Sequence, residues 1–221
     1  MTVLLVILTF AAFILLDYVV QRNRAPRPAA VPAPASWLPE PVWVAGYQLP
    51  ETLHYHPGHT WARVGEDGDV VVGIDDFARR LVGPARSVRT PALGDWLEQG
   101  ALAVGLGGVD ARSAQLVSPV AGEVVEVNPE LAKHPELVSD DPYGRGWLFK
   151  VRSSHLAANL RNLLSGRLAR RWIEDARESL DLRLMALSGS VLQDGGQPVA
   201  DYARHLPDQE WKRLVGEFLL T

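Results

Sequence analysis

The chain has 221 residues, 47% hydrophobic and 22% charged, with a formal net charge of −4 and no cysteine. That composition suits one folded domain with extensions. It offers no overall basic field to nucleic acid, and the lack of cysteine excludes disulfides, thiolate metal sites and cysteine nucleophiles.

Thr2 to Val20 is an apolar run whose single charge is Asp17. Nineteen residues at 1.5 Å each span roughly 28 Å, about one hydrocarbon core. No Lys or Arg precedes the run, whereas Arg22, Arg24 and Arg27 follow it. This predicts an uncleaved transmembrane helix over 1–21 in the inner (cytoplasmic) membrane, with the soluble part facing the cytoplasm. Residues 22–50 are rich in Pro and Ala and read as a linker. Polyproline geometry over Ala25 to Val42 would reach about 55 Å. Trp43 is expected to pack on the domain that follows.

Residues 51–152 read as short strands with turn punctuation. "TWARV", "GEDGD" and "VVVGI" make a hairpin with a Gly/Asp turn. "DDFARRLVG" is a short helix capped by Asp75 or Asp76 and stopped at Gly83. "RSVRTP", the "GDWLEQG" turn, "ALAVGLGG", "AQLVSPV", "AGEVVEVN" and "WLFKVR" supply further strands. Such spacing implies a small β-barrel or sandwich. After Ser153 the period becomes helical, with Leu156, Leu160, Leu163, Leu164, Leu168, Trp172 and Ile173 in series. Ser165-Gly166 divides this region, 153–187, into two helices. Residues 188–221 read as a loop around "QDGGQP" and a final helix from "PDQEWKRLVGEFLL".

Several of these segments, in order, resemble the glycine cleavage system H protein family. They are "YHPGHTW", "VVVGIDDFARRLVG", "LGDWLEQG", "LVSPVAGEVVEVNPEL" and "PELVSDDPYGRGWLFKV", from Tyr55 to Arg152. The resemblance implies a mainly β fold, a lipoyl/biotinyl-type β-sandwich (barrel-sandwich hybrid). The transmembrane helix would precede it and the helical extension would follow. It also implies lipoate on a lysine at a hairpin tip.

In this chain the lysine position falls on Asp110, counted from Gly94-Asp95, or on Ala111, counted from Ser118-Pro119. No lysine lies between Gly94 and Ser118, and the chain has only Lys133, Lys150 and Lys212. A protonated guanidinium cannot replace an amine as acyl acceptor. No lipoyl cofactor, cofactor-binding residue or catalytic residue is therefore assigned. The reading is a non-catalytic, membrane-anchored binding or scaffold module with a protein partner, and not an enzyme. The alternative is a genuine carrier role in glycine decarboxylation. A weaker alternative is a metal site at His54, His56 and His59; Pro57-Gly58 turns the chain between them, and only Glu51 is a nearby fourth ligand. "GLGG" lacks the Lys-Ser/Thr of a phosphate loop. Arg167, Arg170 and Arg171 form a basic patch read as a solvated face or a lipid contact.

Overall fold

Alternation of apolar residues and a few fixed turns decide where the strands lie. The computed structural model describes residues 42–108, 112–188 and 206–220. The anchor expected over 1–21 and most of the 22–50 linker lie outside these residues, as does the "QDGGQP" loop. Among the described residues, no helix is long and apolar enough to cross a membrane.

The first described element corrects the expected linker. Residues β1 (Trp43–Val44) and β2 (Tyr47–Gln48) already form a hairpin. Its turn places Ala45 at φ 51° and Gly46 at φ 86°, the paired positive values of a tight hairpin turn. Successive strand residues face opposite sides. Val44 and Tyr47 therefore enter the core while Trp43 stays 59% exposed, with the Arg80 guanidinium 6.0 Å from its ring. The packing expected of Trp43 is made by its neighbours instead.

The hairpin read from "TWARVGEDGDVVVGI" is present as β4 (Thr60–Val64) and β5 (Val70–Ile74). Gly65 N–H donates to Asp69 O at 2.8 Å, and Gly68 adopts φ 83° at the turn. Helix α1 (Asp76–Val82) follows; the Asp75 carboxylate accepts from Ala78 N at 2.8 Å, and Gly83 at φ 80° ends the helix. The remaining strands are β3 (His54–Tyr55), β6 (Ser87–Arg89), β7 (Trp96–Leu97), β8 (Leu102–Gly107), β9 (Ser113–Val117), β10 (Gly122–Val127) and β11 (Phe149–Arg152). They build two antiparallel sheets. One has the order β3-β4-β5-β11-β10-β7 and the other β6-β8-β9.

The inner faces meet over Ala62, Val72, Leu106, Leu116, Val124, Phe149 and Val151, all almost fully buried, and α1 adds Phe77 to the same core; Trp61, across from Gly73, is buried on the reverse face of the larger sheet. Asn128 ties the two longest sequence motifs together. Its side-chain amide donates to Arg145 O and Trp147 O at 2.8 and 2.7 Å, while its oxygen accepts from Glu130 N. The short helix α2 (Leu137–Asp140) lies within the second of them. Tyr143 is buried beneath; its hydroxyl donates to Gln48 O and accepts from Asp76 N.

Helices α3 (Leu156–Arg161) and α4 (Gly166–Ser188) divide at the expected Ser165-Gly166 step, where Gly166 takes φ 53°. Leu163, Ala169, Ile173, Ala176 and Leu180 join the same core as the strands. Tyr55 and Leu164 exchange two backbone hydrogen bonds of 2.8 Å. Leu168, read as part of the apolar series, is 69% exposed. The buried stripe runs from Ala169 through Ile173, Ala176 and Leu180, the i, i+4, i+7, i+11 spacing of a 3.6-residue period. Helix α5 (Asp208–Leu219) also closes onto the core, burying Trp211, Leu214, Val215, Phe218 and Leu219.

Candidate functional site

The hairpin that the sequence singles out is β8–β9. Gly105 pairs with Gln115, Leu106 with Ala114 and Gly107 with Ser113. Val104, Leu106, Ala114 and Leu116 point into the core and hold the ribbon down. The pairing is extended toward the tip by Gly108 N–H, which donates to Arg112 O at 2.8 Å. Asp110 and Ala111 lie outside the described residues, so the tip is characterised by its identity and its flanks. Beside the hairpin a shallow groove of about 320 Å³ runs over Ser87, Arg89, Gly105, Gly107, Arg112 and Ser113. Its floor is largely backbone, because Gly105 and Gly107 present no side chain.

The lipoyl group that such hairpins carry needs an amine, and the donor set does not provide one. Lys150 sits within the other sheet, 2.6 Å from the Glu126 carboxylate and 5.5 Å from the Trp147 ring centre. Lys133 ends the 3-10 turn Pro129–Ala132, and Lys212 is on α5. The residues present at the hairpin do not fit an amide-linked lipoyl group.

Arg112, the first described residue after the tip, is fastened to the C-terminal helix. It donates to Leu206 O at 2.7 Å and to the Asp208 carboxylate at 3.2 Å, and its guanidinium lies 5.5 Å from the Trp211 ring centre. Sequence reasoning missed this role, since the partner lies 94 residues or more away.

The three histidines do three different things. His54 is on β3, and its Nδ1 is buried without a hydrogen-bond partner. His56 Nδ1 accepts from Gly58 N at 3.0 Å, closing the Pro57-Gly58 turn. His59 is buried with φ 61°, and its Nδ1 lies 2.7 Å from Asp75 Oδ2. Its ring stacks on Phe77 at 4.0 Å and meets Trp172 at 4.5 Å. Burial holds His54 and His56 below the ordinary imidazole pKa; the nearby His59 adds to this at His56. No group of three or more His, Asp or Glu suited to a metal ion is present among the described residues. Glu51, the nearby acid, pairs with Arg170 instead.

The His59–Asp75 pair joins local to tertiary structure. One carboxylate oxygen caps α1 and the other holds the imidazole against α4. The aspartate pairs thus serve as caps and turns: Asp76 binds Arg79 and Arg80, and Asp141 accepts from Arg145 N. Arg171 pairs with Glu174 and Asp175 along its own helix.

Two antiparallel sheets around one core, with a hairpin projecting from the smaller, define a mainly β domain of the lipoyl and H-protein sandwich class. The family profile described as Glycine cleavage H-protein matches residues 53–176. The chain belongs to the glycine cleavage H-protein family. It is 39% identical over 123 residues to the "Probable glycine cleavage system H protein" of Pyrococcus abyssi, covering 56% of this chain and 90% of that protein. It is 43% identical over 117 residues to the "Glycine cleavage system H protein" of Hydrogenovibrio crunogenus, covering 53% and 89%. A crystal structure of a glycine cleavage system H protein from Mycobacterium marinum is similar at 29% identity and a TM-score of 0.45, over 48% of this chain and 87% of that one. The family match runs past Arg152, where the quoted sequence motifs end. It takes in α3 and the first half of α4.

Proposed function

We propose that this chain is an H-protein-fold binding module that carries no lipoyl group of its own. The observation that supports this is chemical: no lysine lies between Gly94 and Ser118, and Asp110 or Ala111 stands where the acceptor belongs. An acyl carrier without its amine cannot form the amide to the arm. What remains is a rigid two-sheet body that presents surfaces to a protein partner. The apolar run Thr2 to Val20 and the following Arg22, Arg24 and Arg27 support attachment to the inner membrane, with the module on the cytoplasmic side. Fractionation of cells making the full chain tests that part; recovery in the soluble fraction refutes it.

The test of the central reading is the intact mass of the full chain made with lipoate and a lipoate ligase. The expected mass is unmodified, beside an H protein that has the acceptor lysine and becomes fully modified in the same cells. Addition of one lipoyl group overturns the proposal. The second reading, a working carrier in glycine decarboxylation, is favoured by the names its relatives bear. Modification, followed by loading with an aminomethyl group, would establish it.

A further inference from the structure

Helix α5 lies beyond residue 176, where the family match ends. Its buried residues, Trp211, Leu214, Val215, Phe218 and Leu219, recur at i, i+3, i+4, i+7 and i+8. This is the single apolar stripe of a helix made to lie in a groove. The floor is equally specific. At one end Arg112 meets Trp211 and Asp208; the helix lies against β9; at the other end Phe218 packs 5.3 Å from Phe77 of α1. Gly58 completes the floor: a Cβ there would lie 2.9 Å from both Leu219 O and a Val117 methyl. Only a residue without a side chain lets the helix end come so near. Arg183 of α4 and Glu217 of α5 pair at 2.8 Å on the outer side.

We infer that the flank of the hairpin, formed by β9, α1 and Gly58, is a helix-docking groove and that residues 208–219 of this chain are its resident occupant. The occupant does more than cover apolar surface. Through Arg112 it fastens the strand that leaves the tip, at the residue next to the acceptor position. A partner approaching this flank meets a helix, and must displace it to reach β9. The inference is independent of the lipoyl question, since it concerns the flank and not the tip.

Hydrogen exchange on the full chain tests it. Amides of α5 are expected to exchange at least 100-fold more slowly than those of a synthetic peptide spanning 206–221. Trp211→Ala is expected to speed exchange at least tenfold in both α5 and the Gly108–Val117 segment, while β5 and β11 keep their protection. Adding the 206–221 peptide to that variant should restore slow exchange at β9, and a peptide carrying Phe218→Ala should not. Equal exchange of α5 and the free peptide overturns the inference, as does loosening of α5 that leaves β9 unchanged. If Trp211→Ala unfolds the whole chain, Asp208→Asn, which weakens the Arg112 pair and the first-turn charge but leaves the apolar stripe intact, is expected to speed exchange in the same two segments, and exchange unchanged at β9 overturns the inference.

Discussion

Replacing Gly73 with alanine probes the tightest packing in the six-stranded sheet. Gly73 stands directly across from Trp61 in the β4–β5 ladder, and the indole crosses the space a side chain would fill. A Cβ at residue 73 would lie 2.5 Å from Cε2 and 2.8 Å from Nε1 of Trp61. The Trp61 ring is fully buried, and its N–H donates to Ile74 O at 2.8 Å and to Pro142 O at 3.2 Å. Moving the ring costs about 1–3 kcal/mol in overpacking. Stranding the buried N–H adds about 1–3 kcal/mol. Alanine lowers unfolded-chain entropy, which offsets about 0.4–1 kcal/mol. The expected net loss is roughly 1–6 kcal/mol, against a typical domain stability of about 5–15 kcal/mol. Urea unfolding of the full chain, with the midpoint shifting at unchanged m, measures it. Combining Gly73→Ala with Trp61→Phe, which removes the colliding atoms, should cost at least about 1 kcal/mol less than the two changes added. A Gly73→Ala change below about 0.5 kcal/mol, or additivity with Trp61→Phe, would refute the reasoning.

Three further outcomes follow from the same core. Asp75→Ala removes a helix cap, worth about 0.5–2 kcal/mol, and leaves a buried imidazole nitrogen unpaired, about 1–3 kcal/mol; Asp75→Asn, which keeps an acceptor, should lose less in urea titrations. Tyr143→Phe deletes the hydroxyl joining Gln48 O to Asp76 N, and a loss of about 1–3 kcal/mol is expected in the same assay. His54 and His56 are held neutral by burial, so the unfolded chain binds more protons than the folded one below the ordinary imidazole pKa of about 6.5. Stability contributed by their neutral forms is complete above that pH and falls as pH drops toward their lowered pKa values. Thermal melts between pH 8 and 5 should show this slope, and His54→Gln with His56→Gln should flatten it; an unchanged slope excludes these two rings as its source.

Much of the fold is legible because it is written locally. Asp75 ahead of "DFARRLV" and Gly83 after it mark α1, and alternation in "GEVVEV" marks β10. Gly65 and Gly68 mark the turn between β4 and β5. The missing amine is legible for the same reason, as residue identity alone decides it. What escaped depends on distant partners. Tyr47 enters the core because Phe77 of α1 receives it, and β1 lies against α4, so nothing in the Pro/Ala-rich context of residues 22–50 announces a hairpin. Arg112 reads as an ordinary hairpin arginine until Trp211 and Asp208 come beneath it. The histidines read as a cluster, yet the turn at Pro57-Gly58 sends their rings to separate neighbours.

The strand order has a consequence for how the molecule is made. β5 pairs on one side with β4, its neighbour in sequence, and on the other with β11, where Phe149 meets Val72. The strand at the centre of the larger sheet is thus the last of its six to leave the ribosome. At about 5–20 residues per second, roughly 4–15 s separate the emergence of β5 from that of its second partner. For that interval Val70, Val71 and Val72 form an open edge on a nascent chain, the condition in which unpaired strands associate wrongly. Synthesis conditions, more than the finished core, should therefore govern how much of this protein reaches its native state.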